Sequence, residues 1–161
     1  MGTPEVGAVG REGFFGLPLA LNAGVSPYQV IVEMRGNAHR VRAEAFIREC
    51  HRCEDLHEAA LTYAGHVLQQ AVQAAVCHAF HSLTQRICRW LLVSRACAHS
   101  NTIEMTQEFV AQMLGVSRPK VSQALVTLEA RRWIHQGHGR IHIVDPKGLQ
   151  QGSCTCSRPE F

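Results

Sequence analysis

"TQEFVAQMLGVSRPKVSQALVTLEA", Thr106–Ala130, holds two short stretches of helical periodicity separated by one glycine, Gly115. In the first, Phe109, Val110, Met113 and Leu114 form an apolar stripe with Ala111 small beside it. Thr106 is placed to cap the start, and Glu108 lies in the first turn, where the helix dipole favours a carboxylate. Gly115 suits the left-handed conformation that ends a helix, and Val116 can plug the turn. Ser117 restarts the chain as an N-cap. Pro119 is tolerated in the first turn because its missing N–H would have no partner there. Val121, Ala124, Leu125 and Leu128 share one face of the second helix. At about 100° per residue, Pro119, Gln123 and Val126 then point away from the core, with Arg118 and Ser122 flanking them. Two short helices braced at a glycine turn, the second presenting its N-terminal end outward, predict a helix-turn-helix.

The flanking residues extend this unit. "TQRICRWLLVSRACA" (Thr84–Ala98) reads as a helix with Ile87, Trp90, Leu91 and Ser94 facing inward, and "HSNTIEM" (His99–Met105) as a polar break. In "RRWIHQGHGRIHIVD" (Arg131–Asp145), Trp133–Gln136 and Arg140–Val144 alternate around Gly-His-Gly, which predicts a basic β-hairpin with a glycine turn. A hairpin in this place is a wing. A winged helix-turn-helix is therefore expected over residues 84–148, with 149–161 as a C-terminal tail.

Charge is concentrated in the same region. The 161-residue chain carries a net +3, but Leu83–Gly148 holds nine basic residues against Glu104, Glu108, Glu129 and Asp145, so that segment is +5 and the remainder −2. A polyanion partner should meet the C-terminal half. At 46% hydrophobic residues, the chain can bury one modest core or two small ones. No apolar run approaches the roughly 18 residues that span a bilayer, and "MGTPEVGAVGREG" lacks a signal-peptide core, so a cytoplasmic protein with no membrane partner is expected. Seven irregularly placed cysteines, an odd number, fit reduced intracellular thiols better than a disulfide framework.

Upstream, Met1–Val41 reads as β structure: "PYQVIVEM" (Pro27–Met34) as one strand, "RGN" as a turn and "AHRV" (Ala38–Val41) as a returning strand. Only three or four strands can be drawn, thin for a free-standing sheet domain, so something appears missing from its N-terminal side. A short helix is expected near Ala43–Cys50 and a long one from Asp55 to about Leu83. The long helix has two apolar stripes. Leu56, Ala60, Tyr63, Ala64, Val67, Ala71, Ala74 and Ala75 form one; Leu61, Leu68, Val72, Val76 and Ala79 form the other. Two stripes need two neighbours: either this domain and the same helix of a second subunit, or two sides of a larger monomeric core. The expected fold class is α+β, mostly α, with a partial β-roll and short helix over 1–50, a dimerisation helix over 54–83 and the winged helix-turn-helix.

"MTQEFVAQMLGVSRPKVSQALVTLEARRWI" followed by "GRIHIVD" resembles the DNA-binding domain of the Crp/Fnr superfamily of bacterial transcription regulators. "CHAFHSLTQRICRWLL" resembles one branch whose members also end in a paired-cysteine tail like "SCTC" (Ser153–Cys156). "GREGFFGLPLALNAG" and "VIVEMRGNAHRVRAEAF" look like the second half of the family's cyclic-nucleotide-type β-roll. The resemblance implies a homodimer on double-stranded DNA, paired through Leu56, Ala60, Tyr63, Ala64, Val67, Ala71 and Ala74, with RNA polymerase as a further partner. It implies base contacts from Arg118, Pro119, Ser122 and Gln123, and phosphate contacts from Thr106, Gln107, Ser117, Lys120, His138 and Arg140. Arg118 offers a bidentate fork to guanine and Gln123 pairs with adenine, whereas Pro119 has no donor to give. The alternative for each is a solvated surface residue.

The departures also count. The family's β-roll begins roughly eighty residues earlier, so the chain is expected to be N-terminally truncated relative to its relatives. "REG" (Arg11–Gly13) could imitate the family's glycine-glutamate pair, but "SPYQ" (Ser26–Gln29) supplies no arginine for a phosphate, and cyclic nucleotide is not expected. No cysteine precedes Cys50, so no iron–sulfur cluster is expected either. No cofactor or metal is assigned. "CHRCEDLH" (Cys50–His57) offers Cys50 and Cys53 beside His51 and His57 as half of a zinc or redox site, with no second ligand pair of matching spacing. Cys154 and Cys156 read as surface thiols or a thiol sensor. His78, His81, His99, His135 and His142 form no credible catalytic group, so an enzyme is not expected. The rival function is a remnant that does not bind DNA itself and pairs with a full-length relative.

Overall fold

A computed structural model describes residues 4–156 apart from 12, 22 and 23. Its elements are α1 (Leu17–Ala20), α2 (Ala43–Arg52), α3 (Glu54–Phe80), α4 (Leu83–Ala98), β1 (Thr102–Ile103), α5 (Gln107–Leu114), α6 (Arg118–Ala130), β2 (Ile134–Gly137), β3 (Arg140–Ile143) and α7 (Pro146–Gly152). The chain is mostly helical with one small antiparallel sheet in the order β1-β3-β2, so the α+β class stands. Among the described residues no helix is long and apolar enough to cross a membrane.

The core lies in the C-terminal half. Ile87 and Leu91 of α4, Val110 and Leu114 of α5, Val121, Leu125 and Leu128 of α6, Ile134, Ile141 and Ile143 of the sheet, and Leu149 of α7 form one buried cluster. Each such side chain contributes about 1.5–3 kcal/mol by leaving water. Trp90 and Ser94 are buried as the periodicity of α4 requires. The break between α3 and α4 is a capping box: Ser82 Oγ accepts from the Gln85 amide at 3.4 Å and Gln85 Oε1 accepts from the Ser82 amide at 3.0 Å.

Two C-terminal elements were not legible in advance. Thr102–Ile103, inside the stretch expected to be a polar break, is a strand because Ile103 is fully buried and pairs with Ile141. Pro146–Gly152, split between the expected winged unit and its tail, is a helix packed on α4. Gly148 and Gly152 let it lie against Trp133, where an added Cβ would come within 2.3 and 2.4 Å of the indole. α7 turns the following residues, Ser153–Cys156, back towards the α3–α4 break.

The N-terminal reading needs correction. Pro27–Met34 and Ala38–Val41 form no strand among the described residues; this segment runs without a ladder. Two isolated strands with no sheet beside them hold little cross-strand energy. Instead Ile31 and Met34 pack against the helix-turn-helix core. Glu5 binds it too: its amide donates to the Met113 carbonyl at 2.8 Å, and its carboxylate accepts from the Trp90 indole at 2.7 Å. Phe14 sits between Phe46 of α2 and Tyr63 of α3, with ring centroids 5.1 and 5.0 Å away. Glu12, half of the imitated glycine-glutamate pair, lies outside the described residues.

α3 has 27 residues and, at about 1.5 Å per residue, extends roughly 40 Å. Its two stripes have different surroundings. Ala60 and Ala74 are buried, and Leu56, Tyr63, Ala64, Val67 and Ala71 half-buried, so the stripe assigned to a second subunit is the one on the covered side of the helix. The other stripe is open: Leu61 is 48% exposed, Leu68 66%, Val72 55% and Val76 41%.

Burial, then the neighbouring charge of Glu5 and a hydrogen bond with it, raises Glu33 from its ordinary 4.5 to about 8. The folded chain therefore holds a proton on Glu33 where the unfolded chain has lost it, so stability falls as pH rises from about 4.5 to 8. Thermal unfolding should show the wild-type midpoint dropping across this window relative to Glu33→Gln. Parallel curves for the two proteins would refute the assignment.

Candidate nucleic-acid interface

The interface is built on the turn between α5 and α6. Thr106 caps α5, its hydroxyl oxygen accepting from the Phe109 amide at 3.2 Å. Gly115 ends α5 at φ +64°, ψ 35°, and its amide and that of Val116 close on the Gln112 and Ala111 carbonyls. α6 starts at Arg118 with Pro119 in its first turn, as expected. Ser117 occupies the N-cap position by backbone, but its hydroxyl makes no capping bond and stays exposed.

The burial of α6 sorts its side chains. Val121, Ala124, Leu125 and Leu128 are buried; Arg118, Pro119, Lys120, Gln123, Val126 and Thr127 are exposed, and Ser122 is half-buried. Among the described residues, no side-chain hydrogen bond or ion pair occupies Arg118, Lys120 or Gln123. The first turn of α6 therefore presents two unpaired cations, Arg118 and Lys120, to solvent on one side of the molecule.

The wing is a two-residue hairpin: Gly137 pairs with Arg140, leaving His138 and Gly139 as the loop, with Gly139 at φ +66°. His138 and Arg140 are both exposed. A polar chain that sequence reasoning missed fixes the wing to both helices. Gln107 Nε2 donates to Gln136 Oε1 at 2.9 Å; Gln136 Nε2 donates to Glu129 Oε2 at 2.9 Å and its amide to Glu129 Oε1 at 2.8 Å. The Gln136 amide, then its side chain, holds the Glu129 carboxyl below its ordinary range, and His135 lies 3.1 Å from the same carboxylate. Gln107, expected at a phosphate, thus already spends an amide donor on bracing the wing. The alternation of Ile134–Gly137 was the only available hint that Gln136 faces inward.

Of the metal candidates, Cys50, His51, Cys53 and His57 belong to no group of three or more ligands among the described residues. Cys77, His81, Cys154 and Cys156 do lie together, their ligand atoms all within 4.8 Å of one another. The resemblance to one branch links the segment holding Cys77 and His81 to the paired-cysteine tail, but sequence reading assigned the four no common site.

Helix-turn-helix, three-stranded wing and the exposed first turn of α6 together define a winged helix-turn-helix domain. Residues 85–151 match the Crp-like helix-turn-helix domain. No curated protein matches the sequence. Similar solved structures include FixK2 from Bradyrhizobium japonicum (14% identity, TM-score 0.64, 71% of this chain and 60% of that one). A Crp/Fnr-family regulator from Eubacterium rectale gives 19% identity and a TM-score of 0.53, over 68% and 50% of the two chains. A CRP-family regulator from Thermus thermophilus gives 16% and 0.58, over 66% and 57%. At these identities the likeness is one of fold, and the chain spans half to three-fifths of each of these proteins.

The Gly115 turn admits a direct check. An L side chain at this left-handed position costs roughly 1–2 kcal/mol, and its Cβ would also lie 3.3 Å from Pro4. Gly115→Ala should lower the urea unfolding midpoint accordingly with the m-value unchanged; a variant as stable as wild type would show that the turn is not under this constraint.

Proposed function

We propose that the chain is a sequence-specific, double-stranded-DNA-binding transcription regulator of Crp/Fnr type, which reads the major groove with the N-terminal end of α6. One observation carries this reading: Arg118, Lys120 and Gln123 stand exposed and unpaired on a helix whose opposite face is sealed in the core. Arg118 forks onto guanine O6 and N7, Gln123 onto adenine, and Ser122 makes a lesser contact. Pro119 packs without donating. Ser117 and Lys120 meet phosphates beside the groove, and Thr106, Gln107, His138 and Arg140 meet the flanking backbone. An exposed basic helix end of this kind favours direct DNA binding over a remnant that only sequesters a relative.

The second copy required for a palindromic site would sit on the open stripe of α3, Leu61, Leu68, Val72 and Val76, which is the apolar face the chain leaves uncovered. A two-fold arrangement would set the two α6 helices about 34 Å apart, one turn of duplex.

Arg118→Ala should weaken binding to a selected site by about 1–3 kcal/mol and relax preference at one base pair. Sequences enriched from a random DNA pool by wild type and variant provide the comparison; identical enrichment would exclude Arg118 from base reading. Affinity should also fall linearly on a log–log plot against salt, because phosphate contacts release counterions. Lys120→Ala should reduce that slope by about one while leaving sequence preference intact, and a salt-independent affinity measured by fluorescence anisotropy would contradict the interface.

A further inference from the structure

We propose that Cys77, His81, Cys154 and Cys156 form a tetrahedral Cys3His site for a single zinc ion, which ties the C-terminal tail to the junction of α3 and α4. The assignment uses none of the residues on which the reading above rests.

The geometry is that of a site. Cys77 and His81 stand one helical turn apart at the end of α3, Cys77 within the helix and His81 as its C-cap, a spacing that puts both on one side. α7 delivers Cys154 and Cys156 to the same place. The Cys77 and Cys154 sulfurs are 3.5 Å apart, and Cys156 Sγ lies 3.9 Å from His81 Nδ1. A tetrahedral zinc centre with bonds of about 2.3 Å to sulfur and 2.0–2.1 Å to nitrogen has ligand–ligand edges of roughly 3.5–3.8 Å. The edges of 3.5 and 3.9 Å lie within about 0.1 Å of this size, and no pair exceeds 4.8 Å.

The chemistry agrees. Three thiolates and an imidazole are a soft, zinc-selective donor set, and four protein ligands leave no open position, so the site is structural and closed. Cys77 and Cys154 are buried, His81 and Cys156 half-buried, which leaves an entry path for the ion from the tail side. Three thiolates around one Zn2+ leave a net charge of −1. Arg86 and Arg89 of α4 carry buried Nε atoms without a hydrogen-bond partner among the described residues, and both guanidinium charges act on Cys77. Two under-satisfied cations beside the cluster are the counter-charge such a centre needs. The sulfurs at 3.5 Å are not joined: a disulfide needs about 2.05 Å and would leave the other two ligands unused.

The test uses the full chain, reduced and stripped with chelator, titrated anaerobically with Co2+ alone and then Zn2+. One equivalent of Co2+ should produce the intense visible bands of a four-coordinate centre and a thiolate-to-cobalt charge-transfer band, and one equivalent of Zn2+ should abolish both. Because buried Cys77 variants risk misfolding, the decisive variants are Cys154→Ser and Cys156→Ser, singly and together, with Cys50→Ser/Cys53→Ser as control. Loss of the charge-transfer band in the double tail variant, and its retention in the control, would support the site. A weak six-coordinate spectrum, a band that survives the double tail variant or disappears in the control, or a fully reduced chain that takes up no Co2+ would overturn it.

Discussion

The structure depends on the burial of one narrow face of α6. Val121, Ala124, Leu125 and Leu128 are held by α4, α5 and the sheet, and a helix thirteen residues long has no freedom to rotate once those four are sealed. Turning α6 by the 100° that separates neighbouring residues would bring Leu125 or Leu128 into water and press Ser122 or Glu129 into the core. Each exposed leucine would cost about 1.5–3 kcal/mol, a large share of the stability of a domain this small. The outward display of Arg118 and Gln123 is thus enforced by apolar packing on the far side of the same helix. The polar chain from Gln107 through Gln136 to Glu129 does for the wing what burial does for the helix. Its charge-assisted bonds to Glu129 are stronger than neutral ones and leave the hairpin loop, not its base, free to meet a ligand.

What was legible from the residues follows from how far each signal reaches along the chain. The α5–turn–α6 unit is specified locally: a glycine at the left-handed position, a threonine cap and an apolar stripe of period 3.6 all lie within twenty-five residues and agree. The wing was readable for the same reason, through alternation around Gly-His-Gly. β1 was not, because its two residues become a strand only by pairing with β3 some forty residues later. α7 was missed because "PKGLQQG" carries two glycines that look like loop; their purpose is clearance for Trp133, which no local pattern reveals. In the N-terminal segment "VIVEM" has the β-branched character of a strand, yet with no neighbour to pair with, Ile31 and Met34 dock as single side chains on the core. Periodicity marks two stripes on α3 but cannot say which one the chain itself covers. The cysteine–histidine cluster shows the same limit: C-x3-H and C-x-C are each weak alone and acquire meaning only when α7 brings them together.

These long-range features converge on the joint between α3 and the winged helix-turn-helix. Ser82 and Gln85 fix the angle at which α4 leaves α3 through a reciprocal cap. On the next turn of α4, Arg86 reaches across to donate to the Leu114 carbonyl, the last of α5 and the neighbour of Gly115. A cation at a helix C-terminus satisfies a carbonyl with no intrahelical partner and meets the negative end of the dipole. A hydrogen bond to a charged group of this kind contributes about 1.5–3 kcal/mol, more than a neutral one. Glu5 clamps the same region from the other side by holding Trp90 of α4 and Met113 of α5 at once. The start of α4, the end of α5 and the recognition turn therefore move as one piece. The orientation of α6 is set at Ser82 and Arg86 as well as at Gly115.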